Sequence, residues 1–156
     1  MSDDRAEKDV CRPVVHLPYQ QTCRNIELLI IDDGSSDGCM NSIANLHDER
    51  IRIIRQSNRG KPAAMNVALE AMRGEFYALN DADDLSDPHR IQQQVKFLAQ
   101  NSEVAGVFCG YSIILNGREM APLYRSKNPT QCRRDIDRFR MPGHDPTAMY
   151  RMSMVR

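Results

Sequence analysis

The sequence predicts an α/β protein with a mostly parallel sheet flanked by helices, and three observations carry that expectation. Short apolar runs rich in β-branched residues alternate with longer stretches of helical period. Two of the runs, Ile26–Ile31 and Phe76–Leu79, end abruptly in aspartates, as strands do when they deliver charge to the rim of a sheet. Glycine-rich or proline-led segments punctuate the changeovers, as in Asp32-Asp33-Gly34-Ser35-Ser36-Asp37-Gly38.

In chain order, Met1–Arg24 has no regular period and contains Pro13 and Pro18. Ile26–Ile31 is near-continuously apolar, the pattern of a strand covered on both faces. Ser36 or Asp37 can cap a helix running to about Leu46, and Ile51–Ile54 is a second short strand. Gln56–Lys61 is a polar loop, after which Pro62 suits a first helical turn. Met65, Ala68, Leu69 and Met72 then recur at i, i+3, i+4 and i+7, the stripe of an amphipathic helix that Gly74 stops. Glu75–Asn80 is the third strand. Asp87-Pro88 opens another helix with Ile91, Val95 and Leu98 on one face and Asn101 near its end. Val104–Leu115 reads as one long strand or two shorter ones, and Asn116-Gly117 as a hairpin turn into Arg118–Leu123. Tyr124–Arg140 is polar and poorly patterned, a loop with a short helix.

A chain of 156 residues, 41% hydrophobic and 27% charged, is long enough for one domain with a core. Lys plus Arg and Asp plus Glu both number 21, a balance that argues against a general nucleic-acid binder. Five cysteines, with no C-x-x-C spacing, indicate neither a disulfide framework nor a zinc site and point to a reducing cytoplasm. The charged Met1–Asp9 segment has no apolar core for a signal peptide. The longest mainly apolar stretch, Val104–Leu115, falls short of the roughly 20 residues a bilayer demands. The expected location is the cytoplasm, or the periphery of the inner membrane face. With no tryptophan, a carbohydrate-stacking platform of that residue is absent, and the nine methionines read as core fillers.

The chemistry concentrates in Asn80-Asp81-Ala82-Asp83-Asp84. On an extended backbone, side chains two apart point the same way, so Asp81 and Asp83 are expected to face one ligand together. Carboxylates that close repel unless a cation or a proton lies between them. Hard oxygen donors suit Mg²⁺ or Mn²⁺, with water and substrate phosphates completing the shell. The pattern predicts a divalent-metal site that binds a diphosphate. In an open parallel sheet ligands lie beyond the carboxyl ends of strands. If both strands are parallel, Asp32-Asp33 shares a rim with the Asp81–Asp84 cluster, although Asp-Asp-Gly-Ser is equally good turn chemistry. Arg59-Gly60-Lys61 precedes a helix N-terminus, where amides and the dipole attract anions; a solvated basic loop is the plainer alternative.

These segments carry a resemblance. Asn25–Gly38 resembles the second strand and turn of family 2 glycosyltransferases, which have the Rossmann-like GT-A fold. Asn58-Arg59-Gly60-Lys61-Pro62-Ala63-Ala64-Met65-Asn66 is similar to that family's next motif, and Gly74–Asp84, with Pro88 following, to its D-x-D segment. His144-Asp145-Pro146-Thr147-Ala148-Met149-Tyr150-Arg151 resembles a later segment of the type H-P-T-x-M-F-R. The match covers Gln21 to Arg156, with the motifs in order.

The resemblance implies inverting transfer of a sugar from a nucleotide-diphosphate donor, a UDP-sugar by preference, to the hydroxyl of a saccharide or lipid-linked acceptor. It places Asp33, with Asp32, at the base, Asp81 at the ribose and metal side, and Lys61 against the nucleotide. Asp83 is the expected main protein ligand of Mn²⁺ or Mg²⁺, with Asp81 beside it. His144 is either a neutral ligand near the diphosphate or a surface histidine. The acceptor proton needs a general base, which the family supplies from a downstream acidic motif expected here beyond Arg156. The family's apolar first strand has no clear counterpart in Met1–Arg24, where Val14–Tyr19 is at best a remnant. The expected organisation is an atypical segment 1–24, a nucleotide-sugar-binding core 25–123 and the start of an acceptor-side region 124–156, incomplete at both ends. An internal piece of a larger transferase or a degenerate copy fits that reading. Rivals are an inactive nucleotide-binding domain, an Asp-x-Asp phosphotransferase, which Leu85-Ser86 does not match well, and a nucleotidyltransferase, whose glycine-rich basic first loop is lacking.

Overall fold

The structure is a computed structural model that describes residues 21–44, 46–124 and 126–155; the expected remnant at Val14–Tyr19 lies outside them. The chain divides into two compact units. One holds the described residues up to Glu75 together with Asp81–Gln92, and the other holds Phe76–Asn80 and the chain from Gln93 onward.

In the first unit, β1 (Leu28–Asp33) and β2 (Ile51–Gln56) pair in parallel, with Leu28 opposite Ile51 and Asp33 opposite Gln56. Parallel strands need a crossover rather than a tight turn, and the connection contains helix α1 (Cys39–Ala44). Asp37 Oδ1 accepts from Cys39 N at 3.0 Å, so the expected cap is the aspartate. Met40 and Ile43 are buried. The apolar run had placed the end of the first strand at Ile31. The ladder continues through Asp32 and Asp33 because Arg55 and Gln56 prolong β2 beside them.

Helix α2 (Lys61–Ala71) opens after Gly60 with Pro62 in its first turn, where a missing N–H costs nothing. It closes where Met72 N donates to Ala68 O at 2.9 Å. Asp87 starts helix α3 (Arg90–Gln100), its Oδ1 accepting from His89 N at 2.8 Å and its carbonyl from Arg90 N at 3.1 Å. Gln21 docks on this start. Its Nε2 donates to Asp87 O at 2.8 Å and its Oε1 accepts from Ile91 N at 3.3 Å.

The second unit is built on a three-stranded sheet in the order β3 (Phe76–Ala78), β7 (Ala148–Arg151), β4 (Gly106–Phe108), both pairings antiparallel. The α/β class with a parallel pair and helices is as expected. The antiparallel sheet is the added finding, and it arises because 148–151 folds back between β3 and β4. Ala148 and Met149 are buried at its centre, and Leu98 of α3 is wholly buried. Gln94 Nε2 donates to Thr147 O at 2.8 Å, so one polar position of α3 points inward with a partner. Arg151 Nη2 donates to Leu98 O at 2.5 Å, which satisfies a carbonyl near the end of α3. Tyr150 lies edge-on to Phe108 with ring centroids 6.1 Å apart.

Val104–Leu115 resolves into β4 and β5 (Ile114–Leu115), and β5 pairs with β6 (Arg118–Glu119). Asn116 and Gly117 have φ of 51° and 73°, both in the left-handed region, as a two-residue hairpin turn demands. The 124–140 stretch contains helix α4 (Pro129–Asp137). Asn128 and Gln131 cap it reciprocally, each side chain accepting from the other's backbone N at 2.9 Å. Among the described residues, no helix is long and apolar enough to cross a membrane.

Candidate nucleotide and metal site

The candidate residues Asp32, Asp33, Lys61, Asp81 and Asp83 all belong to the first unit. Adjacent strand residues project to opposite faces, and the two aspartates ending β1 have separate partners accordingly. Asp32 is buried; its Oδ1 accepts from Ser35 N at 2.9 Å and its Oδ2 lies 3.6 Å from Arg55 Nε. It fixes the turn that follows the strand. Gly34, in that turn, has φ of 80°, and a Cβ there would come within 2.9 Å of Asn58 N. Only glycine lets the turn and the 58–60 loop approach so closely.

Asp33 ties that loop down. Its Oδ1 accepts from Gln56 Nε2 at 2.7 Å and from Arg59 N at 2.9 Å, while Oδ2 accepts from Gly60 N at 2.7 Å. The hydrogen bond from Gln56, followed by that from the Arg59 backbone, holds its carboxyl below the ordinary value of 3.8. Three donors occupy three of about four lone-pair directions, leaving one, on Oδ2, for a ligand. Gln56 is the residue that the sequence reading missed. The signal was register: if β1 and β2 are parallel and end together, a polar residue closing β2 stands opposite Asp33. The other amide atom of Gln56, Oε1, is buried with no hydrogen-bond partner among the described residues, a cost accepted where the Asp33 bond is made.

The lowered carboxyl has a pH consequence. Because the folded value lies below the unfolded one, the tie contributes above the unfolded value and is lost as pH falls through the folded one. Amide proton shifts of Arg59 and Gly60 should titrate together with a midpoint below 3.8. A midpoint at or above that value would show that the carboxylate does not hold the loop.

With the loop fixed, Lys61 begins α2, and its Nζ lies 2.9 and 3.1 Å from the two carboxylate oxygens of Asp81. Both side chains remain accessible, 53% and 35% exposed. Asp81 starts a turn rather than continuing a strand. β3 ends at Ala78, and Asp84 N donates to Asp81 O at 3.2 Å, closing the chain over Ala82 and Asp83. Contrary to the expected extended backbone, a tight turn and not a strand of period two presents Asp81 and Asp83. Asp83 is exposed and enters no ion pair among the described residues. The structure thus links Asp33, the 59–60 amides, Lys61 and Asp81 in one chain of contacts, sets Asp83 two residues away in the turn, and gives Asp32 different partners. In the second unit, His144 is exposed and lies edge-on to Tyr111 with ring centroids 4.6 Å apart.

Among the described residues, no group of three or more His, Cys, Asp or Glu side chains forms a ready-made metal cage. Mg²⁺ is ordinarily bound through one or two carboxylates plus water and substrate phosphates rather than by an all-protein cage. An exposed, uncommitted carboxylate in a turn is a suitable donor of that kind.

The α/β fold is that of the GT-A glycosyltransferases. Residues 1–349 of TarS from S. aureus match it with a TM-score of 0.64 over 96% of this chain and 45% of that one, at 18% identity. The family model for glycosyl transferase family 2 matches residues 7–156, and the chain belongs to that family. It is 31% identical over 144 residues to EpsH of Bacillus subtilis, a protein classed as a glycosyltransferase, covering 86% of this chain and 41% of that one. An uncharacterized glycosyltransferase of Nostoc sp. is 39% identical over 97 residues, covering 60% of this chain and 30% of its own length. The chain thus spans less than half the length of these relatives. The mannosyltransferase PcManGT of Pyrobaculum calidifontis, solved with GDP-Man and Mn²⁺, matches with a TM-score of 0.58 and 27% identity over 65% of this chain and 32% of that one.

Proposed function

We propose that this chain binds a nucleotide-diphosphate sugar together with Mn²⁺ or Mg²⁺ and serves the transfer of the sugar to a saccharide or lipid-linked hydroxyl. The observation that carries the proposal is the Asp33-tied loop delivering Lys61 onto Asp81, in the same tight turn as the exposed Asp83. Asp33 shapes the base side of the site through the 58–60 loop. Lys61 supplies positive charge toward the phosphates. Asp83, with Asp81, would hold the metal, whose bound form stabilises negative charge on the departing diphosphate. Residues 25–123 form the nucleotide-sugar-binding core, and 124–156 belong to the acceptor side. The GDP-Man and Mn²⁺ of PcManGT support a nucleotide-sugar donor and a divalent ion for this chain. The resemblance of the Asp33 segment favours uracil.

Calorimetric titration of UDP and of GDP, each with and without Mn²⁺, tests the reading. The expected result is binding that strengthens with Mn²⁺, UDP above GDP. No binding of either nucleotide with the metal present would overturn it.

A further inference from the structure

The Lys61–Asp81 contact has a consequence for how the metal enters. We infer that Lys61 is a built-in competitor for the divalent cation: its ammonium occupies the Asp81 carboxylate until a nucleotide diphosphate arrives, so that metal alone binds weakly. The inference deepens the proposed function and rests on it. Lys61 Nζ lies at hydrogen-bond distance from both Asp81 oxygens, 2.9 and 3.1 Å, and so straddles the side of the carboxylate that a cation would take. Its backbone is held in place, because Gly60 N, immediately before it, donates to Asp33 at 2.7 Å. Both partners are accessible to water, and such pairs are weak enough to exchange.

A divalent ion arriving alone therefore meets one uncommitted carboxylate, Asp83, and a second already neutralised by a cation. To use Asp81 it must displace the Lys61 ammonium from both carboxylate oxygens, and like charges at that distance repel. A diphosphate changes both terms. Its oxygens offer the ammonium a new partner and bring ligands to the metal, so Asp81 is released as the nucleotide binds. Nucleotide and metal then enter together, and free metal without nucleotide does not fill the site.

Mn²⁺ binding measured by electron paramagnetic resonance, with no sugar transfer involved, tests this in the full chain. Lys61→Met and Lys61→Gln should bind Mn²⁺ alone about fivefold or more tightly than the wild type, while Lys61→Arg, which restores the cation, should stay near the wild type. Matching circular dichroism spectra establish that the variants fold, as expected for an exposed position. Adding UDP should raise the wild-type affinity for Mn²⁺ and raise that of Lys61→Met by a smaller factor. Unchanged affinity for Mn²⁺ alone in both Lys61→Met and Lys61→Gln, with UDP still raising the wild-type value, overturns the competition and leaves the site reading intact. No effect of UDP on Mn²⁺ in the wild type overturns the nucleotide reading itself.

Discussion

Asp83→Asn should lower the affinity for Mn²⁺ in the presence of UDP by at least about 10–100-fold, the range that loss of a mere outer-shell partner already costs. The carboxylate is exposed and uncommitted, so its removal leaves no buried group orphaned, and the fold should be unaffected. Nucleotide binding should then lose its dependence on the metal. Calorimetry of UDP against wild type and variant, with and without Mn²⁺, reads both effects. Equal UDP affinity under all four conditions would remove Asp83 from the metal site.

The second large effect is expected at Asp33. Asp33→Ala strips acceptors from Gln56, Arg59 and Gly60 at once, and bonds to an ionised carboxylate are the stronger kind. Because the loop leads directly into Lys61, nucleotide affinity should fall about tenfold or more. The loss should be parallel for UDP, CDP and GDP, since what fails is the shape of the loop. A loss confined to UDP would instead show that the one remaining acceptor direction reads the imide of uracil. Unchanged affinity for all three would reduce Asp33 to a turn residue.

Much of the fold was legible because its signals are local. Pro62 and the Met65–Met72 stripe located α2, and Asp87-Pro88 located the start of α3. Asn116-Gly117 fixed a hairpin through its positive φ alone. Helix α4 was legible too and underweighted: Asn128-Pro129-Thr130-Gln131 is a capping box with proline at the first helical position. What local pattern could not supply was pairing. The opposition of Asp33 and Gln56 is a property of two strands in register. The turn at Asp81–Asp84 follows a strand that stops at Ala78, one residue before the apolar run ends at Leu79. The candidate residues were therefore named from the sequence, while their division of labour, Asp32 in a turn and Asp33 on the loop, came from the pairing of strands.

The central place of β7 also orders the birth of the molecule on the ribosome. The parallel ladder can close as soon as Gln56 has emerged, since its members are near neighbours in the chain. β3 and β4 have no such option: Ala78 and Val107 both wait for Met149. Such long-range closure is slow, and until it happens two short strands carry unpaired edges open to any passing chain. Synthesis therefore has an interval in which nascent copies crowded on one message can pair with each other, and anything that slows translation between Phe108 and Ala148 lengthens it.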